Sequence, residues 1–306
     1  MAYLLSRMDL FAPTRRAASL TGLAAALAAC SPEKQAQASA KPPPARGSLE
    51  WAAAGPWRLE PERDRWRHPV ETLRFFGLQP AMHVVEVMPG RGWYSAILAP
   101  YLAAGGGALI AASFDPQGAT DAQLAVLADY KARFMEDPKT FGAVALAPLS
   151  PRVTQIADPG AADMVLVMRN VHTFMAESWA QRAFALFFDV LKPGGVLGIE
   201  EHRAKSTGVQ DPQAGSGYVQ EPVVKAFAEE AGFRFLGSSE INANPKDTKD
   251  HPFGVWTLPP TLATAPLGMP ADPHFDSAKY KAIGESDRMT LKFLKPGADP
   301  AAPPPG

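Results

Sequence analysis

A chain of 306 residues that is 46% hydrophobic can build one large α/β domain with tails, and 31 prolines, many near the two ends, mark those tails. A net charge of −1, with Lys and Arg dispersed rather than gathered in a stripe, argues against a nucleic-acid partner. The single cysteine, Cys30, excludes an intrachain disulfide framework and a cysteine-based zinc site. The six histidines (His68, His83, His172, His202, His251, His274) show no H-x-H or HExxH spacing, so no metal site is expected; one could arise only by long-range assembly.

Residues 1–29 read as an export signal. Arg7, Arg15 and Arg16 supply positive charge, and the small-apolar run from Ala17 to Ala29 is too short to span a bilayer comfortably. The run closes on Leu27-Ala28-Ala29-Cys30, which resembles the lipobox of bacterial lipoproteins; a buried alanine-rich helix with a chance cysteine is the alternative. The resemblance implies a periplasmic protein held to the envelope through lipidated Cys30. Residues 30–48 read as a tether, 49–295 as the folded domain and 296–306 as a disordered tail.

Pro69 fits the first position of a helix running to about Phe76. Arg65 and His68, just before it, are a solvated helix start or a lid over a ligand. The central stretch follows: an apolar run, Val84-Val85-Glu86-Val87, then Met88-Pro89-Gly90-Arg91-Gly92, then a helix with Tyr94, Ile97, Leu98, Tyr101 and Leu102 on one face. A strand leading through a Gly-rich turn into a helix is where an α/β sheet receives a nucleotide-like ligand, and Glu86 is expected beside that crevice. A second strand, Ala108 to Phe114, ends at Asp115, placed to accept hydrogen bonds from a ribose or, more plainly, to form a turn with Pro116. Residues 121–136 are a helix. Val153 to Ile156 is the predicted third strand, with Asp158 after it. The fourth, Ala162 to Met168, ends in Arg169-Asn170-Val171-His172. Asn170 and His172 are the best candidates for polar work at the sheet's carboxyl edge, unless they only hydrogen-bond the loop. A helix from Ser178 to Leu191 leads to a fifth strand, Val196 to Ile199, capped by Glu200-Glu201-His202-Arg203. A helix from Pro222 to Ala231 leads to a sixth, Phe233 to Ser238. Met289, Leu291 and Phe293 alternate as a half-exposed strand best placed antiparallel beside the sixth.

Glu86 to Gly92, Asp115, an acid near 158, Asn170 and Leu191-Lys192-Pro193-Gly194-Gly195, in that order, resemble class I S-adenosylmethionine-dependent methyltransferases over roughly residues 60–295. The Pro-Gly-Arg-Gly-Trp-Tyr-Ser motif, the Arg169-Asn170-Val171-His172 loop, Asn242 to Asp247 and Ser286 to Thr290 look like a bacterial group of predicted exported methyltransferases. The resemblance implies an α/β fold with a doubly wound, mostly parallel seven-stranded sheet and a late antiparallel strand. It implies S-adenosylmethionine as cofactor, with Glu86 and the Gly90–Gly92 backbone against its methionine part, Asp115 on the ribose and Asp158 near the adenine amine. By position it adds Pro89, Trp93, Tyr94, Arg169 and Asn170 to the cofactor contacts. Met88-Pro89 stands where the class carries its first glycine, and proline removes an N–H and fixes φ. Methyl transfer to a small or envelope-associated acceptor then needs a base: His172 first, Glu201 and His202 next. The competing reading is a ligand-binding or scaffolding lipoprotein without turnover, because the cofactor is made in the cytoplasm. A catalytic protein should keep Glu86 and Asp115 open to ligand; a scaffold should fill the crevice with side chains such as Trp93. Nothing in the sequence fixes the oligomeric state.

Overall fold

Strands with continuous apolar runs form the middle of a seven-stranded sheet in the order β3-β2-β1-β4-β5-β7-β6. The computed structural model describes residues 42–297, so the segment read as an export signal, Cys30, most of the expected tether and nearly all of the expected tail lie outside the described residues. β1 (His83–Val87), β2 (Ala108–Phe114), β3 (Val144–Leu149), β4 (Ala162–Met168) and β5 (Leu191–His202) run parallel. β7 (Arg288–Leu294) lies antiparallel between β5 and β6 (Arg234–Ser239). The late strand thus pairs with the fifth as well as with the sixth.

Alternation along β1 shows how both faces are covered. Val85 and Val87 enter a core built with α7 (Val171–Ala176), α8 (Ala180–Val190) and α9 (Glu221–Glu230). Val84 enters the opposite core with α1 (Leu49–Ala53), α3 (Pro69–Phe76), α4 (Ser95–Gly105), α5 (Asp121–Phe134) and α6 (Pro138–Phe141). Helix starts follow local chemistry. Ser48 Oγ accepts the Trp51 N–H at 3.1 Å to cap α1. Thr120 and Gln123 form a reciprocal capping box on α5. The short α2 (Asp64–Arg67) precedes α3, and α10 (Ala278–Ile283) precedes β7. No described helix is long and apolar enough to cross a membrane.

The third strand departs from expectation. It is Val144–Leu149, not Val153 to Ile156, which lies in irregular chain. β3 is an edge strand paired only with β2, where a proline's missing N–H costs no ladder bond on the outer side. The shift matters for the site: the residue that follows β3 at the carboxyl edge is Ser150. Asp158 instead sits just before β4, where the Gly160 N–H donates to the Asp189 carbonyl at 3.0 Å, near the end of α8. Asp158 therefore lies before the amino end of β4, exposed, and not at the carboxyl edge where the sequence reading placed it.

Candidate functional site

The turn after β1 keeps the backbone path that glycine usually provides. Met88 takes the left-handed φ of 46° itself, and Gly90 and Gly92 follow at 59° and 82°. The Met88 N–H donates to the Ala112 carbonyl at 2.7 Å, so the lost N–H of Pro89 leaves the strand end paired. The two glycines do different jobs. A Cβ on Gly92 would sit 2.2 Å from the Phe134 ring, a packing constraint; a Cβ on Gly90 would meet nothing within 4 Å, which leaves room for a ligand against the backbone.

A cleft of about 280 Å³ opens at the carboxyl ends of β1, β2 and β3. Met88, Phe114, Asp115, Ser150, Thr173 and Phe174 are among its walls. That volume lies just below the range usual for small-molecule sites, about 300–1,000 Å³. Asp115 lines it, yet both of its oxygens are engaged. Oδ1 accepts the Gln117 N–H at 2.9 Å, and Oδ2 accepts Ser150 Oγ at 3.0 Å and Arg152 Nη2 at 3.2 Å. The Arg152 guanidinium is 64% exposed and also donates to the Gln117 carbonyl. Ser150 and Arg152 were not singled out from sequence because the third strand was placed after them.

Glu86 is beneath the turn rather than on the cleft wall. It points to the same face as Val84, and its Oε2 accepts Ser95 Oγ at 2.5 Å, which in turn accepts Tyr130 OH at 2.9 Å. Burial pushes Glu86 up to about 7, against the opposing pull of Ser95 and Arg169. Trp93 does not fill the cleft. Its ring lies between the guanidiniums of Arg58 and Arg67, 4.8 and 4.6 Å from the centroid, and its Nε1 donates to the Glu60 carbonyl at 3.3 Å. Tyr94 is buried with its OH 3.1 Å from Glu200 Oε2. Arg169, at a φ of 61°, pairs with Glu200 Oε1 at 3.0 Å. Asn170 Nδ2 ties the ends of β1 and β4 by donating to the carbonyls of Val87 and Met168 at 3.1 and 3.0 Å. Neither Arg65 nor His68 lines the cleft.

Beside the cleft the structure brings together His172, Glu201 and His202. The β4–α7 segment that carries Thr173 and Phe174 on the cleft wall carries His172 one residue earlier, and β5 ends at Glu201 and His202. Glu201 is fully buried and bound from several sides. Oε2 accepts the N–H of Val171 at 2.6 Å and of His172 at 3.3 Å; Oε1 accepts the N–H of His202 at 2.8 Å and lies 2.9 Å from His172 Nδ1. A carboxylate on Nδ1 favours the tautomer protonated there and leaves Nε2 as the basic nitrogen. His202 Nδ1 lies 2.6 Å from Ser286 Oγ. Burial, reinforced by His172, pushes His202 well below the ordinary histidine range. Trp256 approaches His172 edge-on, with ring centroids 6.1 Å apart. The segments singled out around Asn242 and Ser286 form the scaffold behind this cluster: Asn244 Nδ2 donates to the carbonyls of Ile283 and Glu285, and Asp247 accepts the Asp287 N–H at 2.8 Å.

Comparison with solved structures places this architecture. The [4+2]-cyclase SpnF aligns over 80% of this chain and 86% of its own, at 17% identity and a TM-score of 0.50. A protein from Galdieria sulphuraria assigned as a sarcosine dimethylglycine methyltransferase aligns over 78% and 87%, at 13% identity and a TM-score of 0.50. The fold is that of the class I methyltransferases. An S-adenosylmethionine-dependent methyltransferase from Aquifex aeolicus aligns over 60% and 88%, at 19% identity and a TM-score of 0.43. No protein-family model matches the sequence, and no curated protein matches it. The class I methyltransferase fold is thus shared here with a protein named for a cyclisation, so the reaction must be argued from the site.

Proposed function

We propose that the protein binds S-adenosylmethionine in the cleft and transfers its methyl group to a small or envelope-associated acceptor, working in the periplasm on a lipid anchor at Cys30. The observation that carries the reading is one arrangement: a cleft with an acid at the end of β2 adjoining a histidine–carboxylate pair at the ends of β4 and β5. The open space over Gly90 suits the close approach of the methionine part, and Asp115 with Ser150 suits the ribose hydroxyls. When bound, the cofactor supplies an electrophilic methyl group on a sulfonium. The chain's own residues then have two tasks. The β4–α7 segment and β5 hold the acceptor at the cleft's edge, and His172 Nε2 takes the acceptor's proton while Glu201 holds the ring and the positive charge it gains.

Calorimetric titration of S-adenosylmethionine and S-adenosylhomocysteine into the full chain tests this. Micromolar binding should fall at least about 10-fold in Asp115→Ala, since a hydrogen bond to a charged group contributes about 1.5–3 kcal/mol. A folded sample that takes up neither ligand would sink the reading and leave the protein as a ligand-binding lipoprotein without turnover. That alternative draws on the Arg152 guanidinium that already occupies Asp115. If Arg152 competes with the ribose, Arg152→Ala should tighten cofactor binding about 2- to 5-fold, the scale of an exposed ion pair. Unchanged or weaker binding in that variant would show that Arg152 moves aside at no cost or contacts the cofactor itself.

A further inference from the structure

We infer that His172, Glu201 and His202 hold a divalent transition-metal ion beside the cleft. Each of the three offers a donor atom, and these atoms all lie within 4.8 Å of one another. Metal–ligand bonds of about 2.1 Å place neighbouring donors about 3–3.5 Å apart, so the set closes on an ion by small side-chain movements of about 1 Å. The separation of His172 Nδ1 from Glu201 Oε1, 2.9 Å, is already that of two donors sharing one cation.

Two further features fit an ion better than a plain hydrogen-bond network. The imidazoles face each other with ring centroids 5.3 Å apart and an interplanar angle of 50°, and no hydrogen bond joins them. His202 has an outer partner on Nδ1, Ser286, and none on Nε2 among the described residues, while His172 meets Glu201 through Nδ1, the nitrogen that would share the ion with that carboxylate. An outer partner on one ring nitrogen, with the other left for the metal, is how histidine ligands are commonly fixed. Glu201 supplies the negative charge that two neutral imidazoles lack. Two ring nitrogens and one carboxylate suit zinc, manganese, iron or cobalt in the divalent state; magnesium and calcium favour all-oxygen sites.

The ion's role deepens the reading given above and rests on it only for the place of the acceptor. With three protein ligands, coordination positions stay open for an acceptor hydroxyl. Bound there, the hydroxyl would lose its proton to water more readily, and the ion would take over from His172 the task of making the acceptor nucleophilic. This favours hydroxylated, chelating acceptors over amines.

The test uses the full chain stripped with a chelator and titrated with Co²⁺, followed by visible absorption, and with Zn²⁺, followed by calorimetry. One ion should bind per chain at micromolar concentration or tighter. His172→Ala should weaken binding by at least about 100-fold, and Ser286→Ala, which removes only the outer partner of His202, by about 10- to 100-fold. His172 is 13% exposed at its side chain and is the variant least expected to disturb folding; near-ultraviolet circular dichroism checks that. No cobalt spectrum at millimolar metal in folded protein, or binding unchanged in His172→Ala, would overturn the assignment. Asp115→Ala separates the two readings: it should lose S-adenosylmethionine and keep the metal. Metal binding without any cofactor binding would sink the methyl-transfer reading alone.

Discussion

Glu285→Gln should destabilise the protein by about 3–5 kcal/mol, because it leaves buried guanidiniums without their counter-charge. Glu285 is 4% exposed and serves three arginines from two ends of the chain. Oε1 accepts Arg63 Nε at 2.7 Å; Oε2 accepts Arg67 Nε and Arg288 Nη1, each at 2.9 Å. Arg63 and Arg67 belong to the turn and helix that precede α3, whereas Arg288 opens β7. The carboxylate therefore pins the amino-terminal segment to the strand inserted last. Burial alone would raise its pKa; Arg67, Arg288 and Arg63 outweigh it and hold the group at about 2. Arg67 is pushed the other way, down to about 9, chiefly by its burial and by Arg169. The two values pull against each other, but a guanidinium stays charged near neutrality on either, so the pair stands. A carboxylate held below its unfolded pKa contributes stability fully above about 4.5 and loses it as pH falls through about 2. Urea unfolding of the variant at pH 7 should show the whole loss, and the gap to wild type should narrow in acid. A loss under 1 kcal/mol at pH 7 would mean that the arginines find other partners.

Much of the sheet was legible because β1, β2, β4 and β5 are covered on both faces and read as continuous apolar runs. β3 was not, because an edge strand needs only one covered face and tolerates Pro148. That single misplacement removed Ser150 and Arg152 from the candidate site and put Asp158 into it. The polar groups capping β4 and β5 were readable for the opposite reason. A charged or ring side chain directly after a buried parallel strand has only the carboxyl edge to occupy, and His172, Glu201 and His202 do lie together there. What their spacing could not show was their partners. Ser286 reaches His202 across 84 positions, and the shared donor geometry depends on how β5 ends against α7. Trp93 and Tyr94 sit in the Gly-rich motif by sequence but turn away from the cleft in space, since the first helical turn after β1 must also cover the amino-terminal arginines. Periodicity places a residue on an element; it does not say which neighbour that residue meets.

Glu86→Gln should make the protein relatively more stable as pH rises, by about 2.5 kcal/mol between pH 5 and pH 8. The carboxyl is buried between β1 and α4, with Ser95, Tyr130 and the charge of Arg169 around it. Its folded pKa, about 7, stands above the value of 4.5 it has when exposed. Between those values the native state keeps a proton that the unfolded chain has released, so stability falls as pH rises from 4.5 toward 7 and is flat beyond. Glutamine copies the neutral form and cannot ionise. Near pH 5 the two proteins should therefore unfold at similar denaturant concentrations. At pH 8 wild type carries a buried anion held by the hydroxyl and the backbone of Ser95, and the variant does not. The sign is opposite to that of Glu285, whose loss is felt most where its carboxylate is ionised. A difference between wild type and Glu86→Gln that stays constant from pH 5 to pH 8 would show that Glu86 is ionised throughout. Ser95 Oγ, 2.5 Å away, would then be donating to an anion rather than sharing a proton with a neutral acid.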